Sequence, residues 1–171
     1  MADFIQRQGA AAFGTRLRRL SGRIDREVQA LYRRHGIDFE PRWFPVFLVL
    51  DELGPLSVGD LAVRIGVSHA AISQVRGRLV AYGLVQVSSH AVDRRRQVLA
   101  LTARGRTKAR RMRPLWEAIA AATGVLCAEG APRLLDQLDG LEAALDRQAL
   151  GLRVRAVLDR KPVRTPRRKG G

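Results

Sequence analysis

Along the first third of the chain, apolar residues recur at helical spacing. Leu17, Leu20, Ile24, Val28 and Leu31 fall three or four apart, which puts them on one stripe of a helix over about 15–31. The stripe should end near Arg33, Arg34 and His35, cations that suit a helix C-terminus, with Gly36 available as the left-handed cap. The next apolar run, Phe44 to Leu50 in EPRWFPVFLVLDELGP, reads as a helix starting near Trp43, because Pro45 is tolerated only in a first turn. Ser57 with Asp60 resembles a capping box opening a short helix with Leu61, Ala62 and Ile65 inward, and Gly66 breaks it. Ser68 can cap the following helix, whose buried face is Ile72, Val75 and Leu79 and whose end is Tyr82-Gly83.

The character then changes. LVQVS and QVLAL have strand-like composition and flank SHAVDRRR, so a hairpin with a cationic tip is expected. Thr102 can cap a long helix with Met112, Leu115, Ile119, Ala122 and Leu126 at helical spacing, and Pro114 inside it predicts a kink. A final helix starts about Pro132 and carries Leu134, Leu138, Leu141, Leu145 and Leu152 on one side. Two short helices joined by a tight glycine turn and followed by a hairpin make a winged helix-turn-helix. The expected fold is mainly α with a small two-stranded β wing, flanked by N- and C-terminal dimerisation helices. The expected organisation is an N-terminal helix in 1–40, the winged module in 41–103, C-terminal helices in 104–158 and a disordered basic tail in 159–171.

Charge says what such a module meets. The 171 residues carry 31 Lys and Arg against 16 Asp and Glu, a formal net charge of +15. That balance points to a polyanionic partner. From Arg153 onward there are eight basic residues against Asp159 alone, yet +8 remains on the rest of the chain, so the tail does not account for the charge. No acid occurs between Arg94 and Trp116. Cations at the start of a helix oppose its dipole, a conflict that an anionic partner relieves.

With Ile72, Val75 and Leu79 inward, Ala70, Ser73, Gln74 and Gly77 turn to the opposite side, toward a DNA major groove. Gln74 can pair with adenine, and Ser73 can reach a base edge or a phosphate. His69 and Arg76 on one flank and Arg78 on the other suit phosphates. Arg94, Arg95 and Arg96 tip the hairpin, where arginine is attracted to a narrow minor groove, and Asp93 shapes the tip by pairing with a neighbouring arginine.

LSVGDLAVRIGVSHAAISQVRGRLVAYGLV followed by DRRRQVLALTARG resembles the multiple-antibiotic-resistance regulator (MarR) family of transcription factors. The pattern DxRxxxxxLTxxG is carried by Asp93, Arg95, Leu101, Thr102 and Gly105. FEPRWFPVFLVL also resembles the regulator half of proteins that fuse this module to an N-acetyltransferase. The resemblance implies a homodimer whose first and last helices interleave, reading a pseudo-palindromic operator. It places Arg95 in the minor groove and Ser68, His69, Ala70, Ser73 and Gln74 at groove-facing positions. It further implies a small aromatic ligand in a crevice for which Tyr32, His35, Arg42, Trp43, Phe44, Phe47 and Trp116 are the candidates. Ala70, Gln74 and Gly77 stand where the family commonly has bulkier or charged residues.

Other classes fare less well. Cys127 is the one cysteine, which excludes an internal disulfide and a Cys-rich zinc site. There is no Gly-rich phosphate loop, no metal-ligand cluster, and no nucleophile pattern around His35, His69 and His90, so neither an enzyme nor a resident cofactor or metal is expected. Without a long apolar run or a cationic-then-apolar start, no membrane association is expected and a cytoplasmic location is. The expected partners are double-stranded DNA, a second copy of the chain and a small aromatic ligand. The competing reading is an architectural, nucleoid-type DNA binder with little sequence preference.

Overall fold

The computed structural model describes residues 3–89 and 97–160. A short helix α1 (Phe4–Arg7) and a 3₁₀ turn (Gly9–Ala12) lead into α2 (Phe13–Arg34). Asp3 begins this lead-in by accepting from the Gln6 N–H at 2.8 Å, and its carboxylate also pairs with Arg19 of α2 at 2.5 Å. A 3₁₀ turn (Pro41–Trp43) precedes α3 (Phe44–Leu53), so Pro45 sits in the first turn, where no N–H is missed. Strand β1 (Leu56–Ser57) is followed by α4 (Val58–Ile65), α5 (His69–Ala81), β2 (Val85–Ser89) and β3 (Gln97–Leu101). Helices α6 (Ala103–Gly130), α7 (Leu134–Arg147) and α8 (Leu150–Arg160) complete the described chain.

The helix ends within the winged module follow from their caps. Ser57 Oγ accepts from the Asp60 N–H at 3.1 Å and donates to the Asp60 carboxylate at 2.5 Å, opening α4. Gly66 ends α4 at φ +72°, in the left-handed region a glycine enters without steric cost, which turns the chain sharply into α5. Ser68 caps α5 by accepting from the Ala71 N–H at 3.2 Å. The sheet has one strand more than expected. Its order is β1-β3-β2, antiparallel throughout, because Leu56 and Ser57 pair with Leu99 and Val98.

The compact units divide between Ile119 and Ala120, inside α6 and later than the expected boundary at 103–104. The first half of α6 belongs to the core of the first unit, where Ala109, Met112 and Trp116 are buried with Leu61, Ile72, Leu79, Leu84, Leu99 and Leu101. At the centre, Phe39 stacks edge-on against Tyr32, Trp43 and Phe47 with centroids 5.2–5.8 Å apart. Trp116 Nε1 donates to the Tyr32 hydroxyl at 3.1 Å, and burial pushes that phenol above its ordinary pKa. The Trp43 indole N–H is buried with no hydrogen-bond partner among the described residues.

Residues 120–160 form the second unit. The expected single final helix is two, because the backbone is extended at Gln148 (φ −155°, ψ 113°). Arg153 spans the break by donating to the carbonyls of Ala144, which also accepts the Gln148 N–H, and of Gln148. Neither α7 nor α8 has a buried residue.

Candidate nucleic-acid interface

The joint between α5, the hairpin and α6 is built around Leu84, Thr102 and Gly105. Leu84 O accepts from the Thr102 N–H at 3.0 Å, closing the inner end of the hairpin. The Thr102 hydroxyl donates to Gly83 O at 2.7 Å and accepts from the Gly105 N–H at 3.0 Å. Gly105 is required by proximity, since a Cβ there would lie 2.1 Å from Leu84 O. The spacing of Leu101, Thr102 and Gly105 is therefore the chemistry of one close helix-to-hairpin contact.

Helix α5 faces outward as its pattern requires. Ile72 and Leu79 are buried and Val75 packs against the core, whereas His69, Ala70, Gln74, Gly77 and Arg78 are exposed. Ser73 is half-buried, and Ser68 is occupied as the cap. The exposed side is smooth: a Cβ on Gly77 would meet nothing within 4 Å. Such a surface lets a helix approach base edges closely, and Gln74 is its long hydrogen-bonding side chain. Arg76 is half-buried, and its guanidinium donates to the Gln97 side-chain oxygen at the start of β3. β2 and β3 pair from Val85↔Leu101 to Ser89↔Gln97. Asp93, Arg94, Arg95 and Arg96, on which the wing reading depends, lie outside the described residues.

The residues expected to line a ligand crevice separate into two places. Tyr32, Trp43 and Phe47 are buried at 1% exposure or less, and Phe44 and Trp116 close over them with ring centroids 5.1 Å apart. These aromatics are packing partners of one another. Arg42 is exposed and paired with Glu40 at 2.6 Å. His35 lies instead on a groove of about 1020 Å³ between the end of α2 and the start of α6. Arg104, Lys108 and Arg111 line the groove, with Ile37, Met112 and Leu115 as its apolar lining. Burial lowers the Lys108 pKa, an effect that the attraction of Asp38 opposes. These three cations were legible only as part of a long charge run. Among the described residues, no group of three or more His, Cys, Asp or Glu converges as a metal site would.

Residues 37–96, from the α2–α3 loop to the residue before β3, match the model of the MarR family. Over that segment, about a third of the chain, it is a MarR-type winged helix-turn-helix, the DNA-binding module of a transcriptional regulator. The regulator is similar to a probable transcriptional regulator from Pseudomonas aeruginosa, at 27% identity over 78% of this chain and 96% of that one, with a TM-score of 0.56. It is similar to BpsR of Bordetella bronchiseptica, whose DNA binding is regulated by 6-hydroxynicotinic acid, at 25% identity over 79% of this chain and 97% of that one, with a TM-score of 0.54. AbfR, solved bound to DNA, shares the fold with a TM-score of 0.64 at 18% identity over 83% and 96% of the two chains. No curated protein sequence matches the regulator. The further likeness of FEPRWFPVFLVL to acetyltransferase fusions finds no support in these matches.

Proposed function

We propose that this regulator acts in the cytoplasm as a homodimer that reads a pseudo-palindromic operator. Helix α5 would lie in the major groove and the arginines at 94–96 in the flanking minor groove. The observation that carries the reading is the joint at Leu84, Thr102 and Gly105, which ties the smooth, exposed α5 to the hairpin strands and the start of α6. On that face Gln74 would read an adenine beside the methyl contact of Ala70. Phosphates would fall to His69 and Arg78.

Dimerisation is supported by apolar surface that is exposed on individual helices among the described residues. On α2 the stripe passes from buried at Tyr32 to exposed at Ile24, Leu20, Leu17 and Phe13. On α7 and α8, Leu135, Leu141, Leu145, Leu152 and Leu158 are exposed. Charge is complementary as well: Arg16, Arg19, Arg23 and Arg26 accompany the α2 stripe, and Asp136, Asp139, Glu142 and Asp146 accompany that of α7. A two-fold partner covers both stripes and supplies the second half-site reader.

By analogy with BpsR, a small ligand would release the operator. The groove at His35, Arg104, Lys108 and Arg111 favours an organic anion with an apolar body, because its cations neutralise a carboxylate while Met112 and Leu115 take the hydrocarbon.

Selection of bound sequences from a random duplex library, with sedimentation of the same preparation, tests the reading. Recovery of a two-fold symmetric motif with half-sites about one helical turn apart, from a sedimenting dimer, is the expected result. Gln74→Arg should move the preferred base toward guanine. General duplex binding with no motif would instead favour the architectural reading.

A further inference from the structure

We propose that Arg76 is a positioning residue: it ties the wing to the recognition helix instead of neutralising a phosphate. The inference rests on the operator-reading function above and concerns how the two reading elements keep their spacing. Arg76 stands one turn beyond Ile72 and three residues before Leu79, both buried, so its stem starts beside the inward face of α5 and away from Gln74. That placement leaves it half-buried and directs its guanidinium sideways to the Gln97 side-chain oxygen. Gln97 immediately follows the arginine run and pairs in register with Ser89, so the bond sits at the outermost described rung of the hairpin.

The hairpin needs a tie there. Its inner end is anchored by Leu84, Val85, Leu99 and Leu101, all buried. Among the described residues the outer end has no buried anchor: Ser88 and Gln97 are exposed, Val98 is half-buried, and Val87 keeps 39% of its surface in solvent. A two-stranded ribbon is free to pivot about its anchored end. A charge-assisted bond from α5 to the outer rung fixes the angle between helix and wing, so that groove and minor-groove contacts form together. The acceptor is a neutral amide, so the tie places no carboxylate near the DNA backbone.

The test compares Arg76→Ala, Gln97→Ala and the double variant of the full chain with wild type, on the selected operator and on random duplex, over a salt series. A tie predicts that each single loses about tenfold in operator affinity, that the double loses no more than either single, and that the salt slope is unchanged. A phosphate contact predicts a harmless Gln97→Ala, equal losses of Arg76→Ala on both DNAs and a slope reduced by about 0.9; any of these outcomes overturns the proposal. Hydrogen exchange in the DNA-free protein gives a second reading. Both singles should speed exchange of the Ser88 and Val98 amides to the same degree, at unchanged melting temperature, and unaltered exchange in either overturns the tie. If wild type selects no motif, the operator reading fails by itself while the exchange experiment still decides about Arg76.

Discussion

Replacing Gly105 with alanine sets two simple expectations against each other. Gly105 is helical, so propensity alone predicts that alanine stabilises α6 by about 1 kcal/mol. The packing predicts the reverse. The new Cβ would lie 2.1 Å from Leu84 O, 3.1 Å from its carbonyl carbon and 3.4 Å from Leu101 Cβ. Carbon and carbonyl oxygen approach to about 3.3 Å at the closest, so backbone must move by about 1 Å. The carbonyl in the way is held by the Thr102 N–H at 3.0 Å, and the Thr102 hydroxyl also lies 3.3 Å from it, so it cannot retreat without opening the joint. Overpacking at about 1–3 kcal/mol, plus a hydrogen bond of about 1 kcal/mol, less the propensity gain, leaves a net loss of about 2 kcal/mol. With a urea m-value of about 2 kcal/mol/M, that moves the midpoint down by about 1 M at constant m and constant protein concentration. Gly77→Ala is the control of opposite sign. It too is helical but has open space around its Cβ, so it should gain up to about 1 kcal/mol in the absence of DNA. A Gly105→Ala protein as stable as wild type would refute the close-contact account of the LTxxG spacing.

Three further outcomes can be checked. Trp43→Phe and Trp116→Phe delete the same atoms from one core, but only the second leaves a hydrogen-bond partner, the Tyr32 hydroxyl, unsatisfied; urea midpoints should show Trp116→Phe costing about 1–2 kcal/mol more. Arg95→Ala should weaken operator binding more than random-duplex binding in fluorescence-anisotropy titrations, and equal losses would reduce Arg95 to a phosphate contact. Deleting residues 159–171 should weaken binding to all duplexes and flatten the salt dependence; an unchanged slope would remove the tail from the DNA contact.

The winged module was legible because its signals are local. Ser57, Asp60, Gly66 and Ser68 each satisfy or release a backbone group within four residues, so their order along the chain dictates the turns. β1 was not legible, since two residues have no period and only pairing with Leu99 defines the strand. The break at Gln148 was hidden because leucines continue in helical phase from Leu145 to Leu152 across it. An aromatic cluster reads alike whether its rings touch each other or a ligand, and only burial at Trp43 and Phe47 separates the two. Arg76 was placed on the correct helix, but its partner is 21 residues away, beyond the reach of any local pattern. The cationic groove joins the end of α2 to the start of α6 in the same non-local way.

The Thr102 hydroxyl donates to Gly83 O, two residues beyond the end of α5, and accepts from the first turn of α6. A single oxygen thus bridges the turn after α5 and the first turn of α6. Through it, the start of α6, which carries Lys108, and the end of α5, the helix that carries Gln74, are fastened to the same backbone turn at Gly83 and Leu84. For the same reason an insertion of even one residue between Thr102 and Gly105 would disengage the two parts, which makes this short spacer a less forgiving place for length change than any surface loop of the module.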